Sequence, residues 1–319
     1  MPSLRQTAYR AALAAALVTG AAHAGPPQYF PTPEAAVQAL MEAAKTGEDA
    51  KVLAVMGSGA KQLVESGDAV ADRNVHERFV TLYDEAHSLI SESDDRRVLQ
   101  VGTTGWPFPI PLVKGKTGWY FDTADGLKEV LARRVGQNEL DAIQVCLAIA
   151  DAQHDYVNLN PEHATPAHYA ARFLSSPGKR DGLYWPTAEG EPLSPLGAEA
   201  AHASAAGYEF EQGKATPYHG YYYRLLSAQG SHAEGGAIDY KVKGELYGGF
   251  ALVAYPAEYG NSGVMTFITN YGGVVFQKDL GKDTATRAKA MKTFDPDPSW
   301  TKAPSSPEAS DNAASPRTP

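Results

Sequence analysis

The sequence predicts an α+β fold with two domains, each built from helices packed on an antiparallel sheet. Two observations carry this prediction. Each half of the chain begins with apolar residues at helical spacing, and each half continues with β-branched and aromatic runs separated by glycine-containing turns. Helices that cover one face of an antiparallel sheet form an α+β domain. The predicted organisation is a signal peptide at 1–24, a first domain at 25–135, a second domain at 136–301 and a disordered tail at 302–319.

Residues 1–24 have the three parts of a secretory signal peptide. Two arginines supply positive charge, residues 11–22 form a short apolar run, and the A-x-A pattern at 22–24 is typical of a signal peptidase site. The run is too short to span a bilayer of about 30 Å as a helix. We therefore expect a cleaved signal, a mature N-terminus near Gly25, and a periplasmic or secreted protein.

The composition is that of a folded, acidic globular protein. Hydrophobic residues make up 43% of the chain and charged residues 20%, and the formal net charge is −9. Lysines and arginines do not cluster beyond pairs, so we expect no binding to nucleic acid or to an anionic membrane surface. No segment after the signal has the length and apolarity of a membrane span.

Cys146 is the only cysteine, so the chain forms no internal disulfide. It lies in an apolar stretch at 143–149 that is typical of the buried side of a helix. We interpret its thiol as a small buried hydrophobic group rather than a reactive one.

In the first half, helices come first and strands follow. Thr32 and Pro33 predict the start of a helix that Gly47 ends, because Thr is a favoured N-cap and Pro fits the first helical position. Asp72 predicts the cap of a later helix that turns Val75 inward. The other predicted elements are a short helix at 61–65 and strands at 97–101, 108–113 and 119–122.

In the second half, one long helix precedes a set of strands. Asn138 predicts the start of a helix at 139–159, and the prolines that follow end it. Short helical structure is expected at 168–175, then a long Gly/Pro-rich loop at 176–195. The predicted strands lie at 221–226, 250–255, 264–269 and 274–278, with a hairpin turn at 270–273 and a closing helix at 284–293.

Five sequence blocks resemble those of a known family. They lie at 32–36 (TPEAA), 106–113 (WPFPIPLV), 176–186 (SPGKRDGLYWP), 217–223 (PYHGYYY) and 263–268 (GVMTFI). Together they are similar to the bacterial secreted family called domain of unknown function 2950, over nearly the whole mature chain. This resemblance transfers no catalytic residue and implies no particular activity.

Each half also resembles a known fold. The first half is similar in element order to cystatin-like or nuclear-transport-factor-2-like domains, in which helices wrap a curved sheet. The second half resembles the globular part of pilins and type II secretion pseudopilins, although it lacks their apolar N-terminal helix. These resemblances imply folds and no specific function.

The sequence contains no recognised catalytic or metal-binding motif. The serines at 58 and 262 lie beside glycines but do not match the G-x-S-x-G nucleophile elbow. His154, His163 and His168 are spaced so that no two imidazoles share a helical face. We expect neither a metal nor a cofactor.

The candidate binding residues lie in two stretches and one later loop. The first stretch combines both charges with two aromatic rings, and Tyr, Trp and Arg dominate contact energies at recognition surfaces. In the alternative interpretation, Trp185 plugs the core while Arg180 and Asp181 pair to hold the loop. The candidate residues are Lys179, Arg180, Asp181, Tyr184, Trp185, Tyr218, His219 and Glu258.

The leading functional hypothesis is a non-enzymatic binding or adaptor module of the cell envelope. Its partner is an envelope protein or a small ligand, and the sequence does not predict an oligomeric state. The hypothesis predicts that four side chains are exposed together: Arg180, Tyr184, Trp185 and Tyr218.

Two alternatives remain open. The first is an envelope hydrolase in which His219 acts as acid or base beside a carboxylate such as Asp181 or Glu258. The second is a structural envelope component that self-associates through an edge strand. The prolines at 107, 109 and 111 predict such an edge, because each removes a backbone donor.

Overall fold

The computed structural model of the protein describes residues 25–304. The predicted signal peptide lies outside these residues, and so does the predicted tail from residue 305 onward. Both halves of the chain combine helices with antiparallel sheets, so the predicted α+β class is confirmed. Within residues 25–304, no helix is apolar enough over a sufficient length to cross a membrane.

The first half places four helices against a five-stranded antiparallel sheet. Its elements are α1 (Pro33–Ala44), α2 (Asp49–Met56), α3 (Lys61–Val64), α4 (Ala69–Glu85), β1 (His87–Ser93), β2 (Arg96–Val101), β3 (Trp106–Pro107), β4 (Leu112–Gly115) and β5 (Gly118–Phe121). The strands pair in the order β1-β2-β4-β5, and β3 pairs with β2. Helices α1 and α2 pack on this sheet, and the core between them includes the fully buried Val101 and Phe121.

Helix α1 starts as the sequence predicts. The Oγ1 atom of Thr32 accepts a hydrogen bond from the N–H of Ala35 (3.1 Å), and Pro33 is the first helical residue. The helix ends at Ala44, and Gly47 completes the following turn with a φ of +70°.

Helix α4 starts earlier than the sequence predicts. Its N-cap is Asp68, whose Oδ1 atom accepts a hydrogen bond from the N–H of Ala71 (3.1 Å), so the predicted cap at Asp72 is wrong. Asp72 lies in the first turn and accepts from the N–H of Ser66 instead. None of the 17 residues of α4 is fully buried, and Val75, predicted to face inward, is 66% exposed.

The strands of the first half differ from the prediction in two places. Strand β1 is absent from the predicted elements, because its sequence, HSLISES, mixes serines with only two apolar residues. The predicted strand at 108–113 is interrupted, since β3 ends at Pro107 and β4 begins at Leu112. Pro109 and Pro111 lie between them and have no N–H to donate to a neighbouring strand.

A single helix, α5 (Thr123–Leu159), joins the two halves. Its 37 residues include the predicted helix at 139–159 and extend it by more than four turns at the N-terminal end. The predicted domain boundary between residues 135 and 136 falls inside this helix. Val130 packs against the first core, whereas Cys146 lies in the second, so α5 contributes to both.

The second half is built around a five-stranded sheet. Its elements are α6 (Gly197–Ala205), α7 (Thr284–Ala290), β6 (Tyr221–Leu226), β7 (Ala228–Gln229), β8 (Ile238–Asp239), β9 (Lys241–Val242), β10 (Glu245–Leu246), β11 (Ala251–Pro256), β12 (Met265–Asn270), β13 (Phe276–Asp279), β14 (Thr293–Phe294) and β15 (Thr301–Lys302). The central sheet has the antiparallel order β15-β13-β12-β11-β6, with every residue of β11 buried. Helices α5 and α7 both contact β11.

The four predicted strands of the second half correspond to β6, β11, β12 and β13. The predicted helical structure at 168–175 is wrong, because this segment forms only isolated bridges, such as that between Leu174 and Tyr184. Helix α6 was not predicted, since it follows the Gly/Pro-rich loop directly. Lys302 belongs to β15, so ordered structure continues past the predicted start of the tail. Cys146 is fully buried, as its sequence context predicts.

Candidate functional site

The predicted loop surface is only partly exposed. Lys179 and Arg180 are exposed and Tyr184 is half-buried, but Trp185 is only 6% exposed. Tyr218 is 7% exposed and lies with Trp185 in the core beneath α5. The expectation that the four recognition residues are exposed together is therefore wrong. The two rings complete the core on the open side of α5, where burial of a large aromatic surface is favourable.

The charges of the loop pair differently from the prediction. The carboxylate of Asp181 accepts hydrogen bonds from the N–H (2.7 Å) and the Oγ–H (2.9 Å) of Ser176, and Arg172 lies 3.6 Å away. Burial raises the pKa of Asp181, but these hydrogen bonds and Arg172 outweigh it and hold the pKa below its ordinary value. Arg180 instead lies over the ring of Trp185, 5.5 Å from its centroid.

His219 lies in a pocket of about 420 Å³ that opens beside α5. Its Nδ1 atom is 3.4 Å from Oδ2 of Asp141, and not within reach of the predicted partners Asp181 or Glu258. Residues 218–221 form a tight turn in which His219 and Gly220 both have positive φ, +50° and +71°. This combination is typical of a type I′ turn, so the turn accounts for the unusual backbone of His219.

The wall of the histidine pocket is acidic. Asp151 and Glu199 line it together with Asp141. Glu199 accepts a hydrogen bond from the hydroxyl of Tyr218 (2.8 Å), whose ring lies 4.2 Å from that of His219. Among residues 25–304, no group of three or more His, Cys, Asp or Glu side chains is arranged to hold a metal ion.

A larger cleft, of about 1410 Å³, lies in the first half between α4 and the helices and strands opposite it. Its wall is mostly apolar and draws on α1, α2, α3, α4, α5 and the connection between β3 and β4. The apolar side chains that line it include Leu40, Met56, Leu63, Phe79, Phe108 and Val130. Val75 and Trp106, both exposed, also line this cleft.

Helix α4 is held both by polar contacts and by packing against the first core, in which four of its side chains take part: Phe79, Val80, Leu82 and Tyr83. The Nζ atom of Lys45 is 2.7 Å from Oδ1 of Asp84, and a ring nitrogen of His76 is 2.7 Å from the carbonyl oxygen of Ala44. These two contacts join α4 to the end of α1. The apolar side chains of α4 between them, such as Phe79, stay half-buried.

One end of the cleft is polar and reaches the second half of the chain. Arg134 donates hydrogen bonds to the carbonyl oxygens of Gln62 (2.6 Å) and Leu63 (2.8 Å) and to Oδ1 of Asn261 (2.7 Å). Asp72 and Glu258 lie near this guanidinium. Burial lowers the pKa of Arg134 and raises the pKa of Asp72, because each charge is partly removed from water.

Asp68 connects the cleft to the histidine pocket. This side chain is 1% exposed and caps α4. Its Oδ2 atom also accepts hydrogen bonds from the hydroxyl of Tyr208 (2.8 Å) and from the N–H of Gly220 (3.0 Å), the residue after His219. One buried carboxylate therefore fixes both the first turn of α4 and the turn that holds His219.

Sequence reasoning identified His219 and Glu258 but missed the cleft. The only available signal was the set of apolar residues on α4, and periodicity assigned these to a closed core. Periodicity shows which face of a helix is apolar, but not how closely the opposite wall approaches it. The partner Asp141 was missed for a similar reason, since it lies 78 positions from His219 in the chain.

The chain was compared with known protein families, curated proteins and solved structures. A family model described as "Protein of unknown function (DUF2950)" matches residues 27–303. No curated protein and no solved structure matches the chain, so the similarities to cystatin-like, nuclear-transport-factor-2-like and pilin-like folds stay predictions. Because the family model matches most of the chain, the protein belongs to this family of proteins of unknown function, DUF2950.

Proposed function

We propose that the protein is a non-enzymatic binding protein that holds a small apolar molecule in the cleft beneath α4. The observation that carries the proposal is a 17-residue helix without a fully buried residue, placed over an apolar cleft of about 1410 Å³. Apolar surface facing water is costly at about 25 cal/mol per Å². A ligand that fills the cleft removes this cost, which supplies a driving force for binding.

The lining of the cleft supports a small-molecule ligand, which fills part of its volume of about 1410 Å³. Ligand sites are typically concave and mostly apolar, with volumes of about 300–1,000 Å³ and a small number of polar groups. In this cleft, Leu63 and Phe108 belong to the apolar wall, and Arg134 lies at the polar end. Its residues come from both halves of the chain, and ligand sites often lie at such junctions.

The proposed location is the cell envelope, outside the cytoplasm. The support is the signal-type pattern at residues 1–24 and the acidic composition without a basic patch. A binding protein in that compartment has access to apolar molecules released from membranes.

A dye-binding experiment tests this function. The neutral dye N-phenyl-1-naphthylamine becomes fluorescent in apolar surroundings, and we expect the mature chain to bind it at a single class of site. The substitution Leu63→Trp places a large ring in the cleft and should weaken dye binding at least about fivefold, because the added volume occupies ligand space. Leu193→Trp, at a residue that is 61% exposed in the second half, is the matched control and should bind like the parent protein.

Two results would contradict the proposal. One is the absence of dye binding by the folded parent protein. The other is equal loss of affinity in both tryptophan variants, since that would place the dye elsewhere. Circular dichroism of each variant separates loss of the site from loss of the fold.

A second candidate function, hydrolysis, is favoured by the pairing of His219 with Asp141 in its own pocket. A carboxylate 3.4 Å from Nδ1 orients an imidazole so that Nε2 can accept a proton from water. This candidate requires that His219→Gln abolishes a hydrolytic activity found by screening ester, amide and glycoside substrates. Retention of that activity in the variant would exclude the residue as the base.

A further inference from the structure

We propose that the cleft beneath α4 selects uncharged apolar ligands and discriminates against apolar molecules that end in a carboxylate. This inference rests on the proposed binding function and names the ligand class of the same site. It follows from the charges at the polar end of the cleft and from the protein acceptors to which Arg134 already donates hydrogen bonds.

The polar end carries more negative than positive charge. Arg134 is the central cation, and the carboxylates of Asp72 and Glu258 both interact with it electrostatically. Asp68 is a third carboxylate, buried behind the cleft wall and interacting with Asp72. Two carboxylates near one guanidinium give this end a formal net negative charge, and the buried Asp68 lies behind its wall. A ligand carboxylate placed there meets the half-buried Asp72, whose charge water screens less than that of the exposed Glu258.

The guanidinium of Arg134 is also held by protein acceptors. It donates to Gln62, Leu63 and Asn261, which fixes it against α3 and the loop after β11. A ligand carboxylate that used Arg134 as its partner would compete with the carboxylates already beside it. An uncharged hydroxyl or ester end meets no such repulsion, and the acidic groups can accept a hydrogen bond from a hydroxyl.

The remaining charged groups of the cleft do not reverse this balance. Lys45 is paired with Asp84. The other charged side chains that line the cleft are all exposed to water: Asp49, Glu65, Arg73, Glu77 and Arg78. Charges in water are screened strongly, so they contribute little to selection at the buried end.

Competition between two ligands of equal chain length tests the inference. Decanol and decanoate are titrated, below their aggregation concentrations and at pH 8, against N-phenyl-1-naphthylamine bound to the mature protein. We expect decanol to displace the dye at a concentration at least about tenfold lower than decanoate. Asp72→Asn removes one of the carboxylates and should reduce this ratio to about threefold. Asp94→Asn, in the exposed turn between β1 and β2, removes a charge of the same type far from the polar end and should leave the ratio unchanged.

The outcomes separate this inference from the proposed function. Equal or stronger displacement by decanoate overturns the selectivity and identifies Arg134 as a carboxylate partner, while the binding function stands. An equal change of the ratio in both asparagine variants also overturns it, because the effect would then come from net charge alone. Failure of the dye to bind the folded protein overturns the binding function itself.

Discussion

Asp181 fixes the loop at 176–186 through two hydrogen bonds from Ser176. A turn held in this way keeps Trp185 inserted in the core, with Arg180 over the outer face of its ring. Asp181 and Arg180 therefore stabilise the conformation of this loop. Of the residues of this loop that were predicted for recognition, Lys179 and Arg180 are exposed surface groups.

The substitution Asp181→Asn should destabilise the protein by about 1–2 kcal/mol at pH 7, because an amide replaces a charged acceptor of two hydrogen bonds. The pKa of Asp181 is lowered in the folded state, so its contribution is present above the unfolded-state pKa and is lost as the pH falls through the acid range. Urea unfolding of both proteins at pH 7 and at about pH 3 measures the difference. It should be smaller at the lower pH.

Glu189→Gln, at an exposed residue three positions after this loop, is the control and should change the free energy of unfolding by less than about 0.5 kcal/mol at either pH. A loss in Asp181→Asn that is equal at both pH values would mean that the carboxylate charge does not stabilise the loop.

For single residues, the sequence predicts whether a side chain is buried better than it predicts which partner the side chain contacts. The alternative interpretation of Trp185 as a core plug is correct, since burial of a large ring is a strong and local preference. The partners predicted for Asp181 and His219 are wrong, because a turn brings Ser176 to Asp181 and a distant helix brings Asp141 to His219. Such pairings depend on which segments the fold brings together, and the residues on either side of a position do not show this.

Helix α5 contains two glycines, Gly126 near its start and Gly136 near its middle. Because only Gly126 is closely packed, a comparison of the two distinguishes the effect of packing from that of helix preference. A Cβ atom at Gly126 would lie 2.3 Å from the carbonyl oxygen of Pro109 and 2.4 Å from Cδ1 of Ile110. A Cβ atom at Gly136 would meet nothing within 4 Å. The first glycine therefore permits close approach of the β3–β4 connection, and the second is only a weak helix former.

We expect Gly126→Ala to destabilise the protein by about 1–3 kcal/mol, because the clash with backbone exceeds the gain in helix preference. Gly136→Ala should stabilise it by up to about 1 kcal/mol, since alanine restricts the unfolded chain and fits the helix. Chemical denaturation of the two variants gives the comparison. Stabilisation by both would show that the β3–β4 connection yields to the added methyl group at little cost.

Strands and helix caps with strong local signals are predicted correctly from the sequence. Parts of helices that depend on tertiary contacts, such as the first turns of α5, are not. The cap at Thr32 and the strands β6 and β12 follow from local residue preference. The first part of α5 was missed although Leu127, Val130 and Leu131 lie at helical spacing, because Asn138 predicts a later start of the helix. Contacts with the first core and with the loop before β12 stabilise that part of the helix instead.

The two halves of the chain are connected by more than the shared helix. Asn138 donates a hydrogen bond to the carbonyl oxygen of Ser262 (2.8 Å), and Glu139 accepts from the N–H groups of Val264 and Met265. Together with Asp68 and Arg134, these contacts join the first half of the chain and α5 to the sheet of the second half. The predicted boundary between residues 135 and 136 falls within the continuous α5, and the division into two domains stays a prediction.

We therefore expect the mature protein to unfold in one cooperative transition. Unfolding of the first half alone would fray α5 and remove the Asp68 carboxylate that accepts hydrogen bonds from Tyr208 and Gly220, which is costly. Two probes measure this during a urea titration: far-UV circular dichroism reports helices in both halves, and thiol labelling reports exposure of Cys146. Burial raises the pKa of this thiol, so it is unreactive in the folded protein and labels only when the second core opens. The two midpoints should coincide.

The contrary result is a partial loss of helix signal at a urea concentration at which Cys146 is still protected from labelling. That result would establish two independently folding domains. The substitution Asp68→Asn should then leave the midpoint of Cys146 labelling unchanged.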